Sequence, residues 1–395
     1  MANVKLSNVI RRAQTKVDKD DTDLVFYVGG EHIESENIRV HSRGIIAEST
    51  IGPMFYYGFK AGDFLLVSRN PHLKKAGLVD FDGICSEKTF VLETANSDVL
   101  LPEFLPFVLQ NERFWDYAYR HRHGSTNTFI NWSTLANYEF ELPDLETQRK
   151  LAEVLWSIND TMEAYKNLIS ATDELVKSQF MELFSLSQAE SNGWSIVPVS
   201  SVVIKPLSGE WGQEDTDGTG VKVLRTTNFT DSGFIDYSEV VRRSIELKKV
   251  EAKALRDGDV LIEKSGGSDT KPVGRVVFYQ ETSENFLFNN FTALLRPNTP
   301  KLNSRFLFTF LFVTYWNGGT KLYENKTTGI HNLKLADYLD NTMIPIPPIE
   351  DQEVFAAFVR QSDKSKFAIQ CCSNLNLWSS LETLLIMYMG ILSPH

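Results

Sequence analysis

Leu142-Pro143-Asp144-Leu145-Glu146-Thr147-Gln148 recurs 204 residues later as Ile346-Pro347-Pro348-Ile349-Glu350-Asp351-Gln352. In each copy a short apolar run is closed by proline, which fixes φ and removes a backbone donor, so the run ends there. Beyond the proline the composition changes. Glu146 to Phe184 and Glu350 to Met389 contain neither glycine nor proline, the two residues that most disfavour a helix interior. Each copy therefore marks the junction between a globular segment and a long helix.

Working outward, the two halves keep the same order of landmarks. Val4-Lys5-Leu6-Ser7 matches Val197-Pro198-Val199-Ser200 at an offset of 193, and the run into Gly29-Gly30-Glu31-His32-Ile33 matches that into Arg225-Thr226-Thr227-Asn228-Phe229 at 196. Gly62-Asp63-Phe64-Leu65-Leu66 lies opposite Gly258-Asp259-Val260-Leu261-Ile262, again at 196, each reading as a turn that opens a buried strand. Phe104-Leu105 pairs with Phe306-Leu307 at 202, and Ile130 to Tyr138 pairs with Ile330 to Tyr338 at 200. Small offset changes are what loop insertions between shared core elements produce. The sequence divides into globules at 1–145 and 188–348, and helical segments at 146–187 and 349–395.

Each globule reads as α+β. Short β-branched and aromatic runs (Leu24 to Val28, Phe64 to Val67, Thr89 to Leu92; Val221 to Leu224, Val260 to Ile262, Arg275 to Tyr279) are punctuated by Gly, Asn and Asp. One apolar helix is expected in each, at Glu103 to Tyr119 and at Ser304 to Trp316.

The first helical segment places Leu151, Leu155, Ile158, Met162, Tyr165, Ile169, Val176 and Leu183 on a heptad seam, interrupted by Thr172 and Gln179. The 39 residues from Glu146 to Phe184, at 1.5 Å each, would extend about 58 Å. The corresponding positions of the second segment are apolar at the ends (Phe355, Val359, Ile369, Leu384, Met387) but include Ser362, Lys366, Ser373, Asn376 and Ser380. The expected architecture is two repeated globules separated by two long antiparallel coiled-coil helices. The alternative is that each helix packs only on its own globule.

At 395 residues, 42% hydrophobic and 23% charged, the chain has the composition of a folded globular protein, not of a disordered or fibrous one. Its longest apolar runs, Phe306 to Trp316 and Leu384 to Leu392, fall short of the ~20 residues that cross a bilayer. Three cysteines, two of them adjacent (Cys371 and Cys372), do not suggest a disulfide framework, and the expected location is the cytoplasm. The net charge of −11 argues at first sight against a nucleic-acid partner, because Lys and Arg supply most of such affinity. The charge is uneven, however: residues 188–348 carry 18 basic and 19 acidic groups, against 4 and 7 on the first helical segment and 3 and 5 on the second.

The order of globule, proline-containing strand, L-P-x-L-E-x-Q or I-P-P-I-E-x-Q and long helix, repeated once over nearly the whole chain, resembles the DNA-specificity subunit of Type I restriction-modification systems. The resemblance implies that each globule is a target-recognition domain reading one half of a split double-stranded DNA site, with the helices as a spacer. It also implies methyltransferase subunits as partners, two of them to match the internal repeat, with restriction subunits possible. S-adenosylmethionine, ATP and magnesium would then be used by those partners, and no cofactor by this chain.

A search for catalytic apparatus agrees with a non-catalytic role. There is no GxxxxGK[ST], HExxH, paired CxxC or GxSxG sequence. Asp259 with Glu263-Lys264 comes nearest to a nuclease set, but adjacent residues on a strand point to opposite faces, and a turn Asp with solvent-edge charges is the plainer reading. His121-Arg122-His123 reads as a basic loop before it reads as a metal cluster.

The candidate DNA contacts lie just after each Gly-Asp strand. They are Arg69, Asn70, Lys74 and Lys75 in the first half, and Lys264, Ser265, Lys271 and Arg275 in the second. Lys supplies sequence-blind attraction to phosphate, and Arg and Asn can pair with guanine and adenine edges. Arg113, Arg120 and Arg122 are further candidates; Arg242, Arg243, Lys248 and Lys249 could equally be the solvated face of a helix. Two other classes stay open: a self-contained nucleic-acid-modifying enzyme, and a helical-hairpin protein scaffold without DNA specificity.

Overall fold

A computed structural model describes residues 2–268, 271–280, 284–327 and 330–373. Leu384 and the rest of the apolar tail lie outside the described residues, as do Asp269 and Thr270 and the side chain of Ile369. The chain divides into two compact units, Met1–Tyr165 and a second that runs from Lys166 to Cys371.

The first unit closes on itself through its ends, where Ala2–Lys5 pairs antiparallel with Glu139–Leu142. One four-stranded sheet has the order Ile10–Ala13, Thr89–Thr94, Phe64–Val67, Ala76–Leu78, antiparallel throughout. The other holds Gly44–Ile45, Phe26–Val28, Gly83–Ser86 and Phe55–Phe59, with Phe26–Val28 and Gly83–Ser86 parallel. The second unit repeats this plan. Ser195–Pro198 pairs with Met343–Ile346, and an antiparallel sheet runs Leu207–Ser208, Thr292–Leu295, Val260–Glu263, Val276–Phe278. Its second sheet contains the equivalent parallel pair, Val221–Leu224 with Phe286–Phe288.

The shared landmarks have physical reasons. Gly62 and Gly258 both adopt positive φ, 95° and 85°, which a side chain would strain. The aspartate after each glycine accepts from the backbone three residues back, Asp63 from Lys60 N and Asp259 from Arg256 N, both at 2.7 Å. Gln148 and Gln352 are completely buried. Gln148 Oε1 accepts from Leu101 N at 2.9 Å while Nε2 donates to Val99 O and Pro143 O. Gln352 repeats the set with Asn303 N, Lys301 O and Pro347 O. The motif glutamine thus clamps the start of each long helix to the loop ahead of its globule's apolar helix.

One sequence alignment is corrected by backbone register. Lys5 opposes Glu139 and Pro198 opposes Met343, and Ile130 and Leu333 make equivalent backbone bonds, so Ile130 to Tyr138 is related to the second half by 203 to 204 residues and not 200. The error is about one helical turn, which leaves an apolar pattern on the same face. The helix Ser304–Trp316 forms as expected, but Glu103 to Tyr119 is two helices, Leu105–Leu109 and Glu112–Arg120. The break comes where Gln110 turns inward to donate to Asn37 O and accept from Trp115 Nε1, and where Asn111 caps the second helix.

The long helix spans Leu145–Phe184 and the second Ile349–Ser373. Leu151 and Leu155, expected on the helix-pairing seam, are instead buried in the core of the first globule with Leu100, Phe104 and Phe107, and Ile158 packs against that core. Met162, Tyr165 and Ile169 are half-buried. Within the second unit the two helices do meet, and antiparallel: Asp173 bonds Lys366, while the rings of Phe180 and Phe184 lie 5.5 and 5.3 Å from Phe355. Val176 and Val359 are buried in the same core. Leu183, assigned to the seam by a strict heptad, is 46% exposed, and Phe180 and Phe184 take its place. A straight helix drifts about 20° per heptad from a 3.5-residue repeat, and over this length the buried face moves to the next positions.

Candidate nucleic-acid interface

In the first unit the chain leaves the strand Phe64–Val67 at Ser68 and turns through Asn70 and Lys74, both with positive φ (50° and 46°). This loop is stitched to the segment at 121–130. Asn70 N donates to Thr128 O at 2.7 Å, Ile130 N to Ser68 O at 2.9 Å, and His123 and Phe129 exchange both backbone bonds. The result is a small three-stranded patch in which Phe129 opposes Arg69 on one side and His123 on the other. Thr128 and Ile130 point into the core, so alternation turns Phe129 outward, 38% exposed between two buried neighbours. Opposed residues of an antiparallel pair share a face, and Arg69, Phe129 and His123 form one outward row.

The second unit builds the same patch at greater length. Ser265–Gly267 pairs with Ile330–Leu333, which pairs with Glu324–Thr327. Leu333 N donates to Lys264 O, the counterpart of Ile130 N to Ser68 O, so the patches correspond at offsets of 203 and 196. Asn332 opposes Ser265 and Asn325. His331 and Leu333 are buried on either side of Asn332. The row equivalent to Arg69, Phe129 and His123 is therefore Ser265, Asn332 and Asn325.

The other expected DNA contacts fall into distinct settings. Arg113 is exposed on the helix Glu112–Arg120. Arg120 pairs loosely with Asp116 at 3.6 Å, both well exposed, and Arg122 lies 3.7 Å over the Tyr119 ring. Lys271 pairs with Asp231 at the surface. Lys74 is held by Glu36 and Glu112 at 2.7 and 2.5 Å, and Lys75 Nζ donates to Gly30 O. Lys264 reaches Ser208 Oγ, and burial, with Lys253 nearby, lowers its pKa.

Arg275 is committed inward. Its guanidinium donates to both oxygens of Glu263 at 3.0 Å and to Phe229 O and Thr226 O, leaving 17% of the side chain exposed. Glu263, expected as a solvent-edge charge, is buried as its partner, and Asp259 is buried against Arg296. Neither carboxylate faces an open site. Arg242 and Arg243 lie on the strand Val241–Ser244 and not on a helix, whereas Lys248 and Lys249 do belong to the helix Leu247–Lys253. His121 stacks on Tyr117 while His123 faces Phe129, so the two imidazoles do not converge. No group of three His, Cys, Asp or Glu among the described residues could hold a metal ion.

The outward rows were not legible in sequence, because they depend on pairing between segments some 60 residues apart. Asn325, Asn332 and Phe129 carry no local motif, and His123 stood out only as part of a basic loop.

Comparison with known proteins agrees with this doubled architecture. The family model described as the Type I restriction modification DNA specificity domain matches residues 11–171 and again 217–371. The chain belongs to that family, as a target-recognition subunit whose catalytic counterparts are other chains. It is 25% identical over 169 residues to the specificity subunit of the Type I restriction enzyme HindI of Haemophilus influenzae, a match covering 40% of this chain and 37% of that one. It is 20% identical to the MjaIX specificity subunit of Methanocaldococcus jannaschii over 82% of this chain and 72% of that one. Among solved structures, the S subunit of the M. genitalium Type I system matches with a TM-score of 0.55 and 14% identity, covering 100% of this chain and 96% of that one. A chain of another Type I system matches with a TM-score of 0.50 and 21% identity, covering 97% and 95%.

Proposed function

We propose that this chain recognises a bipartite double-stranded DNA target, one half per globule, and carries two methyltransferase subunits, and restriction subunits where they exist, to that target in the cytoplasm. The observation that carries this reading is the loop scaffold built twice on one plan but lined by different side chains. Two readers of unlike chemistry suit a split target with unrelated halves. Arg69, Asn70, Arg113, Arg120, Arg122, Ser265 and Lys271 supply the contacts, with Lys74, Lys75, Lys264 and Arg275 shaping the loops that present them. S-adenosylmethionine, ATP and magnesium belong to the partner subunits. No helix among the described residues is long and apolar enough to cross a membrane.

The acidic helices suit subunit contacts better than DNA, and partners that add positive charge would strengthen DNA binding. The isolated chain is expected to bind DNA weakly with a shallow salt slope, and more tightly once the methyltransferase subunit is added. The deciding experiment is methylation-site sequencing of DNA after co-expression with the methyltransferase subunit encoded beside it. A split, adenine-methylated motif is expected, and exchanging residues 1–145 should change one half only. A single continuous palindrome would overturn the two-reader model; a stable complex that selects no sequence would favour the scaffold.

A further inference from the structure

We infer that the outward rows Arg69–Phe129–His123 and Ser265–Asn332–Asn325 are the base-reading elements of the two globules. This rests on the DNA-recognition reading above and goes further, assigning sequence discrimination to six side chains and a base chemistry to each row.

Three features of the rows carry the inference. The first is rigidity: the first row is held by four backbone hydrogen bonds between 2.7 and 2.9 Å, and its neighbours Thr128 and Ile130 are anchored in the core. A side chain on such a ladder is presented in one direction, whereas one on a free loop is not. The second is size. Opposed residues of antiparallel strands stand about 5 Å apart, so a row of three spans about 10 Å, which the major groove, about 12 Å wide, admits. The third is exposure against expectation. Phe129 remains 38% exposed beside Arg69, whose side chain makes no hydrogen bond or ion pair among the described residues, and the His123 ring lies 5.7 Å away. An exposed aromatic between two basic groups is poorly suited to solvent and well suited to a surface that is anionic at its edges and apolar at its floor.

The chemistry of the rows differs as two unlike half-sites require. Arg69 can give the paired donors that match guanine O6 and N7, and Phe129 beside it can cover the C5-methyl of thymine. The second row has no cation. Asn325 and Asn332 carry the amide that pairs with adenine N6 and N7, and Ser265 can bond either kind of edge. The first row therefore selects a G·C pair next to an A·T pair, and the second selects A·T pairs.

The test uses the full chain co-expressed with its methyltransferase subunit and reads the methylated motif. Arg69→Ala and Phe129→Ala should each relax one position of the half-site read by the first globule, with discrimination there falling about tenfold or more, and leave the other half unchanged. Asn332→Ala and Asn325→Ala should do the converse. Transplanting the second row into the first, as Arg69→Ser, His123→Asn and Phe129→Asn together, should give a new first half-site. If an alanine variant no longer co-purifies with the methyltransferase, Arg69→Lys decides, because it keeps the charge and loses the paired geometry: a relaxed guanine position supports the assignment and an unchanged motif overturns it. A wild-type complex that marks a split sequence, with row variants that leave it intact, would sink the row assignment alone. A wild-type complex that marks no sequence would instead sink the reading on which it rests.

Discussion

Lys366 Nζ lies 2.7 Å from Asp173 Oδ1, joining the two long helices by a charged pair beside the apolar contacts of Val176 and Val359. Asp363 accepts from the same ammonium at 3.0 Å and pairs at its other oxygen with Arg305, and the ring of Phe234 lies 5.0 Å from Nζ. Lys366, read in the sequence as a flaw in the second seam, is the hub of a buried ion network. Removing it takes from Asp173 its one ion-pair partner among the described residues and leaves Asp363 to Arg305 alone, in a largely dry setting. Lys366→Met is expected to cost about 3 kcal/mol or more in the unfolding of the second unit. The double variant with Asp173→Asn should lose less than the sum of the singles, a difference that a urea-denaturation cycle would measure.

Gln148 and Gln352 make the same prediction in two places. Each serves three backbone groups from a completely buried side chain, so alanine at either site removes three hydrogen bonds at once, at about 2 kcal/mol or more. Limited proteolysis should separate the two. Gln148→Ala should loosen the first globule around Val99 to Leu101, and Gln352→Ala the second around Lys301 to Asn303.

Arg275 and Lys271 sit four residues apart with opposite expectations. Arg275→Ala breaks a buried pair with Glu263 and should destabilise the second unit by about 3 kcal/mol, with Lys unable to restore the fork geometry. Lys271→Ala removes only an exposed pair with Asp231 and should leave the melting temperature unchanged. It should instead reduce the salt slope of DNA binding by the full complex by about one unit.

Glu163 provides a pH test of the first unit. Burial pushes its carboxyl up, but hydrogen bonds from Asn159 and Arg39 outweigh that and hold it below the usual carboxylate range. Its stabilising contribution is therefore complete above the ordinary glutamate value and is lost as pH falls through the depressed native one. Glu163→Gln should flatten the acid limb of the stability profile, which thermal melts from neutral to acid pH would show.

Much of the fold was legible because it is written in local signals. Gly62-Asp63 and Gly258-Asp259 announce their strands through a conformation that favours glycine, and the motif glutamines mark helix starts by what they must clamp. What the sequence concealed was tertiary. Leu151 and Leu155 have the spacing of a coiled-coil seam, yet the same spacing serves a helix lying on its own globule, and only packing distinguishes the two uses. Charge was ambiguous for a similar reason. Arg69 and Arg275 occupy comparable loops, but Glu263, on the strand before the second loop, turns one inward and leaves the other in solvent. The reader rows could not be anticipated, since a row is a property of register between distant segments.

Every partner of Gln148 and of Gln352 is a main-chain atom. The glutamine clamp therefore constrains the path of the adjoining loop and is blind to that loop's side chains. A different globule whose loop took that path would meet the same clamp, and what it would have to supply afresh is the apolar seat that Leu100, Phe104 and Phe107 give to Leu151 and Leu155.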